Sequence, residues 1–243
     1  MNNFTEQENI PLSSRILYQS TECVVVNKLK GEATEGAVRQ IVSLPRELKA
    51  VLPADTQLIE AVNRVDVPVT GCAIFALTQD SLVFLNSVFS EKGSPLIKKH
   101  YWAITEKPPQ LPDTCGEYTE LVHWIEINKK LNKSLVYYES AQDCKKASLR
   151  YKIIGKGDNY LFSEIDLITG RHHQIRAQFA MEGMPVKGDL KYGAKRSEKD
   201  GGIRLHARSL SFPDPLNKTE IVHVTADPPY IDNLWTDFMK LIK

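Results

Sequence analysis

An aspartate stands where a turn leads into an apolar stretch of the chain. Asp66 ends the segment N-R-V-D at 63–66 and is followed by Val67-Pro68 and by an apolar run that begins at Gly71. Arg64 and Asp66 share one side of an extended chain, and a turn before a buried strand is where a rigid scaffold presents reactive groups. Asp66 is therefore a candidate nucleophile or base, although this segment taken alone favours a surface ion pair.

A tyrosine follows in a second segment, K-K-H-Y-W-A at 98–103. Strand alternation sends Lys99 and Tyr101 to one side and His100 and Trp102 to the other. Tyr101 could stack on a base and transfer a proton through its phenol, or it could be a core tyrosine with a satisfied hydroxyl. In isolation the segment favours the core tyrosine.

Hydrogen-bond donors are dense in a third segment, T-G-R-H-H-Q-I-R at 169–176, which is followed by G-M-P-V-K-G-D at 183–189. These donors suit a phosphate, the edge of a uracil or a carboxylate. The adjacent histidines do not predict a metal site, because neighbouring residues point to different faces and no third ligand is near. Asp189 fits a turn after Gly188. The donors are Arg171, His173, Gln174 and Arg176.

The charge of the chain is uneven although its formal net value is only +1. Residues 145–208 hold fourteen Lys or Arg against seven Asp or Glu, so the remainder carries an excess of negative charge. Such a segment suits a partner that bears phosphates, because each neutralised phosphate releases counterions. Lys187 and Lys191 are candidate contacts; the alternative is a basic segment that is merely solvated.

Composition and missing motifs exclude several classes of protein. The 243 residues are 42% hydrophobic and 25% charged, and no apolar run approaches the roughly 20 residues of a membrane span. The polar N-terminus lacks a secretory signal, so a cytoplasmic protein is expected. Metal, phosphate-loop and dinucleotide motifs are missing, so no metal and no cofactor are expected. Four cysteines without a C-x-x-C pair predict free thiols: Cys23, Cys72, Cys115 and Cys144.

Hydrophobic patterning predicts an α+β fold with a mixed, largely antiparallel sheet. The proline-rich segment Pro108–Glu117 is the predicted lobe boundary, and Asp80 is the predicted cap of a helix over 81–89. Short helices are also predicted at Gln174–Met181 and, as a docking helix, at 231–242. The predicted strands are 16–18, 22–27, 71–78, 99–105, 145–154, 160–167 and a strand that begins near R-L-H-A at 204–207.

The order of these segments resembles the RluA family of pseudouridine synthases. The shared motifs are N-R-V-D, K-x-Y-x-A, G-R-x-H-Q-I-R, G-x-P-x-x-G-D-x-x-Y-G and R-L-H-A, and the resemblance covers roughly residues 14–225. It implies one catalytic domain over 14–243 behind a polar extension at 1–13, bilobed around a basic cleft. It also implies RNA, ribosomal or transfer, as the partner. A monomer is expected.

The resemblance assigns roles by position. It makes Asp66 the nucleophile, Tyr101 the active-site tyrosine and Arg176 the basic partner of the aspartate. It makes Arg64 the side chain that fills the space of a flipped nucleotide, and Leu205 an apolar pocket residue. The expected RNA-binding residues are Arg64, Lys99, Arg171, His173, Gln174, Lys187, Lys191 and Leu205.

Departures from the family pattern leave alternatives open. Asn63 stands where the family usually has His, Val65 where it has Leu, and Pro68 lies in an altered turn. No S4-like RNA-binding module is expected before the catalytic unit. Three hypotheses follow: an RNA uridine isomerase, a catalytically impaired RNA-binding or folding factor of the same descent, and a nucleoside hydrolase that uses Asp66.

Overall fold

The computed structural model of the chain describes residues 10–36, 41–90, 95–110 and 116–242. The chain divides into two compact units. The first runs to Ile97 and resumes at Arg208–Asn233, and the second comprises Lys98–Ala207 and the chain from Leu234 onward. Residues 1–9 of the expected extension and Cys115 lie outside the described residues. The thiols of Cys23, Cys72 and Cys144 are free.

The first unit begins with a short antiparallel sheet. Its N-terminal part contains six strands and two helices: β1 (Ile16–Gln19), β2 (Cys23–Lys28), β3 (Glu32–Ala33), β4 (Val42–Ser43), α1 (Leu44–Leu48), β5 (Glu60–Ala61), β6 (Thr70–Ala76) and α2 (Gln79–Ser90). Strand β2 pairs antiparallel with both β1 and β6, and β5 pairs with the end of β6. The short pair β3 and β4 is parallel.

The second unit holds a five-stranded antiparallel sheet in the order β7-β11-β10-β8-β9. Chain order gives β7 (Lys98–Glu106), β8 (Tyr118–Asn128), β9 (Lys133–Tyr137), β10 (Lys145–Lys156), β11 (Tyr160–Leu167), α3 (Gln174–Met181) and β12 (Leu205–Pro213). Strand β12 begins in this unit and ends in the first unit, where it pairs antiparallel with β13 (Ile221–Thr225). Helix α4 (Asn233–Lys240) completes the chain.

Each unit has its own apolar core, and each core is formed by apolar residues of the predicted strands and helices. In the first unit, β-branched and small side chains of β2 and β6 pack with Leu210 and Phe212 of β12 and Leu85 of α2. In the second unit, Trp235 and Phe238 of α4 pack on Trp102 of β7. Helix α4 lies within the range 231–242 predicted for the docking helix, and the α+β class with largely antiparallel strands is confirmed.

Two local predictions are wrong. The predicted lobe boundary at 108–117 is described only at its two ends, and both ends belong within the second unit, because the Lys107 N–H donates to the carbonyl of Asn159 and the Gly116 N–H to that of Ile153. The boundary between the units falls at Ile97 instead. The bilobed basic cleft stays a prediction.

The second error concerns the cap of α2. Thr78, rather than Asp80, caps this helix, since the Ser81 N–H donates to the Thr78 hydroxyl (3.2 Å) and the Thr78 N–H donates to the Ser81 hydroxyl (3.3 Å). Thr78 is the residue before the first helical position and Asp80 lies inside the first turn. This reciprocal pair of hydrogen bonds satisfies the backbone N–H groups of both Thr78 and Ser81.

Candidate active site

Asp66 lies in the first unit, in the turn that leads into β6. Its carbonyl oxygen accepts a hydrogen bond from the Val69 N–H at 2.9 Å, which closes the turn around Val67 and Pro68. Val65 is buried on one side of Asp66 and Val69 on the other, while the Asp66 side chain is half-buried. Two buried anchors therefore fix the backbone that carries the carboxylate.

The side chain of a buried lysine also binds the backbone of this turn. The Lys28 side chain is fully buried, and its Nζ donates to the carbonyl oxygens of Leu29 (3.0 Å), Val67 (3.1 Å) and Val69 (2.6 Å). Burial lowers the pKa of Lys28 to about 7, although the negative charges of Glu32 and Asp66 oppose this shift. Three carbonyls account for all three protons of an ammonium group. The backbone on both sides of Pro68 is thus tied to β2.

The Asn63 side chain fixes the start of the segment 63–66, which ends at Asp66. Its Nδ2 donates to the Cys72 carbonyl at 3.2 Å, and its Oδ1 accepts from the Ile74 N–H at 2.8 Å. The side chain therefore fastens residues 63–66 along β6. This gives a structural reason for the departure at Asn63, where the related family usually has histidine.

Arg64 is exposed and makes a loose contact in the described part of the first unit. Its Nε lies 3.7 Å from a carboxylate oxygen of Glu35, and both side chains are more than half exposed. An exposed pair of this kind contributes little stability. The guanidinium can therefore move to another anion at small cost.

Tyr101 and Lys99 lie on one side of β7 in the second unit. Tyr101 is 8% exposed and stands opposite Ile165 of β11. Burial and the positive charge of Arg171 lower the pKa of Lys99. A methyl group built on Gly170 would lie 3.5 Å from the Lys99 Nζ. The structure thus brings together two predicted RNA-binding cations, Lys99 and Arg171, around a glycine.

Gln174 holds the turn that presents Arg171. Its Oε1 accepts from the Thr169 hydroxyl (2.7 Å) and the Arg171 N–H (2.9 Å), and its Nε2 donates to the Ser148 carbonyl (3.1 Å). Gln174 is 3% exposed. These contacts give it a structural task in the turn, and its direct contact with RNA stays a prediction.

The two adjacent histidines face each other, so the prediction that they point to different faces is wrong. Their rings stack with centroids 3.7 Å apart, because His173 adopts a left-handed backbone with φ of 50°. The His173 Nδ1 lies 3.0 Å from the Tyr192 hydroxyl, and the His172 Nδ1 lies 3.0 Å from the Ser134 hydroxyl. In the part of the chain that the structure describes, no group of three or more His, Cys, Asp or Glu side chains could hold a metal ion.

Arg176 is held by Asp189. Arg176 Nε lies 2.6 Å from Asp189 Oδ2 and Nη2 lies 2.9 Å from Oδ1, a two-point contact between buried side chains. The Tyr192 ring lies over the guanidinium, 5.1 Å from its carbon. The sequence interpretation of Asp189 as a turn residue missed this partner, whose position inside the G-D-x-x-Y-G motif at 188–193 carried no sign of burial. The pairing of Arg176 with Asp66 stays a prediction.

The remaining predicted residues of the second unit differ in exposure. Lys191 is exposed, and its Nζ donates to the Asn132 carbonyl at 3.0 Å. Lys187 is half-buried and ion-paired with Glu198. Leu205 is buried at 3% exposure, as an apolar pocket residue would be. Of the two lysines, Lys191 is the more accessible to a phosphate.

Comparisons with known proteins identify the family to which the chain is similar. The sequence profile of the RNA pseudouridylate synthase family matches residues 22–181. Ribosomal large subunit pseudouridine synthase C of Rickettsia conorii is 32% identical over 88% of this chain and 69% of its own length. The protein of the same name from Vibrio parahaemolyticus is 26% identical over 85% of this chain and 63% of its own length. The chain thus spans about two thirds of these relatives.

Solved structures share the fold. The human RNA pseudouridylate synthase domain containing 1 has a TM-score of 0.69 at 23% identity, over 93% of this chain and 86% of that one. The human domain containing 4 has the same TM-score at 20% identity, over 95% and 94%. No helix among the described residues is long and apolar enough to cross a membrane.

Proposed function

The chain belongs to the RNA pseudouridylate synthase family, and from that membership we propose that it isomerises uridine to pseudouridine in RNA, with Asp66 as the nucleophile. The observation that carries the proposal is the braced turn of Asp66. Lys28 and Asn63 fix its backbone from two sides, in the position that matches the family's catalytic aspartate. Such support is what a reactive group needs to keep its geometry.

The proposed reaction keeps all atoms of the nucleotide. The bond between the ribose C1′ and the uracil N1 breaks, the base rotates, and C1′ bonds to C5, which then loses its proton while N1 gains one. Substrate and product are isomers, so no oxidant, reductant or group donor is consumed. Asp66 can add to C1′, add to the pyrimidine ring, or deprotonate the sugar to form a glycal. All three routes start from its ionised carboxylate.

Tyr101 and Arg176 are assigned the supporting steps. Tyr101 stacks on the uracil and takes part in removal of the C5 proton after rotation. Arg176, whose position is set by Asp189, is assigned the role of basic partner of the Asp66 carboxylate. The target nucleotide must leave its stack at a cost of about a few kcal/mol. Arg64 fills the space that it vacates.

The departures from the family pattern are compatible with an enzyme. Asn63 makes two hydrogen bonds to β6, and Val65 is buried as an apolar residue should be. These residues support the turn of Asp66 without replacing any reactive group. The hypothesis of a catalytically impaired RNA-binding factor is therefore not favoured.

We assign ribosomal RNA of the large subunit as the substrate class, because that is the target in the names of the relatives. The exposed Lys191 and the half-buried Arg171 are its phosphate contacts in the second unit. A ribosomal substrate fits the expected cytoplasmic location, and a monomer stays the expected oligomeric state.

Release of tritium tests the function. Large-subunit ribosomal RNA transcribed with [5-³H]uridine loses tritium to water only when C5 is substituted. The proposal predicts enzyme-dependent tritium release and pseudouridine in the digested RNA. Release of free uracil would indicate the nucleoside hydrolase, and RNA binding with neither product would indicate the binding factor.

A further inference from the structure

The turn between β8 and β9 is a basic element that the sequence patterns did not single out. We define the lysine hairpin as residues 128–134, N-K-K-L-N-K-S, which contain three lysines and no acidic residue. Lys129 and Lys130 are exposed and Lys133 is half-buried. None of the three makes an ion pair with the residues that the structure describes.

Three hydrogen bonds fix the base of the lysine hairpin to the segments around His172 and Tyr192 of the second unit. The Ser134 N–H donates to the Tyr192 hydroxyl at 2.7 Å. The Ser134 hydroxyl donates to the His172 carbonyl at 2.5 Å. From the other side, Lys191 Nζ donates to the Asn132 carbonyl at 3.0 Å. The hairpin therefore lies against the two segments that carry most of the expected RNA contacts.

The ammonium groups of Lys133 and Lys191 lie at the base of the hairpin, and the neighbouring carboxylate of Asp189 is already paired with Arg176. The Lys133 ammonium lies 5.1 Å from the centre of the Tyr192 ring, whose other neighbours include the guanidinium of Arg176. Lys191 reaches the hairpin backbone with its own ammonium. A surface that gathers unpaired ammonium groups gains most from a partner with regularly repeated negative charges, as in a nucleic-acid backbone.

We propose that the lysine hairpin, together with Lys191, binds the phosphates of the RNA strand that flanks the target uridine. This inference rests on the proposed function, because the flanking strand exists only if the chain acts on RNA. The hairpin supplies affinity through phosphates, while the choice of uridine depends on the residues around Asp66 and Tyr101. An acidic protein is the competing partner.

Salt-dependent binding tests this proposal. The double variant Lys129→Gln/Lys130→Gln is compared with Lys49→Gln/Lys156→Gln, which removes two exposed lysines elsewhere. The probe is a fluorescein-labelled 20-residue oligouridylate, and its anisotropy is followed across a KCl series. Two lost phosphate contacts lower the slope of log K against log salt by about 1.4, and lower affinity roughly tenfold, because each contact on a single strand contributes about 0.7.

The outcomes separate this proposal from the function on which it rests. Equal slopes for the hairpin variant and the wild type, with unchanged melting temperatures, overturn the phosphate contact and leave the acidic protein as the partner. An equal loss in the control pair also overturns it, because the effect is then one of total charge. The function itself is tested with the wild type in the tritium assay: absence of enzyme-dependent tritium release from the ribosomal RNA refutes the proposed function, whatever the slope of the hairpin variant.

Discussion

Arg176 and Asp189 form a two-point ion pair in the interior of the second unit. Their contacts of 2.6 and 2.9 Å join side chains that are 5% and 2% exposed. The positive charge of the Arg176 guanidinium is thus balanced by a carboxylate of the same unit. The two contacts also hold the guanidinium in one orientation. A cation in this setting is available to orient a second anion without losing its first partner.

Removal of Asp189 should be costly. Asp189→Ala leaves the buried Arg176 charge without its carboxylate, and breaking a buried pair in this way costs about 3–5 kcal/mol. We expect a large fall in the free energy of unfolding, measured by urea denaturation. Asp237→Ala is the matched control, since Asp237 pairs with Lys240 on the surface, and it should behave like the wild type. Equal stability of Asp189→Ala and Asp237→Ala would contradict the structural role of the pair.

Asn63 should affect both stability and turnover. Asn63→Ala leaves the Ile74 N–H without its acceptor, at a cost of about 1–3 kcal/mol, and loosens the loop that carries Asp66. We expect a lower melting temperature and a lower kcat in the tritium assay. Ser87→Ala removes an exposed helix hydrogen bond and serves as the control. A stable Asn63→Ala enzyme with normal kcat would show that the loop keeps its geometry without this side chain.

The sequence predicted the regular elements better than the contacts between distant segments. Alternation and helical spacing located β10, β11 and α3 to within two residues, because these depend on local burial patterns. Strands β8 and β9 were missed, although 118–128 alternates, because its exposed residues include large apolar side chains such as Val122 and Ile127. The roles of Lys28 and Asp189 depend on partners 39–41 and 13 residues away and could not be predicted from local pattern.

A pH-dependent contribution to stability is expected from His100. Burial lowers its pKa, but hydrogen bonds and charges from Glu164 and Asp166 outweigh burial, so that the pKa is raised above its ordinary value. A raised pKa in the folded state stabilises the protein below about pH 6.5, and this contribution is lost as pH rises through the folded-state pKa. His100→Gln should therefore lower the melting temperature more at pH 5.5 than at pH 9.

The pKa of His123 is shifted in the opposite direction to that of His100, so His123 provides a comparison. Burial lowers the pKa of His123, and Glu182 only partly opposes it. The wild type therefore loses stability from His123 as pH falls, and the deficit of His123→Gln should shrink at low pH. Parallel pH profiles for the two histidine variants would contradict the assignment of His100 to its acidic neighbours.

Tyr101 should be needed after the glycosidic bond breaks. Tyr101→Phe keeps the ring for stacking and removes the hydroxyl that takes part in proton transfer. We expect affinity for the oligouridylate close to that of the wild type, and loss of most tritium release. Full tritium release by Tyr101→Phe would remove the phenol from the reaction.

The most direct measurement is tritium release by Asp66→Asn. The amide keeps the size of the side chain and can keep its hydrogen bonds, so the variant should fold and bind RNA with the salt dependence of the wild type. It removes the negative charge that every proposed route requires, and no second carboxylate occupies the turn at 66–69. We predict no detectable tritium release or pseudouridine from large-subunit ribosomal RNA. Substantial release by folded Asp66→Asn would contradict the assignment of Asp66 as the nucleophile.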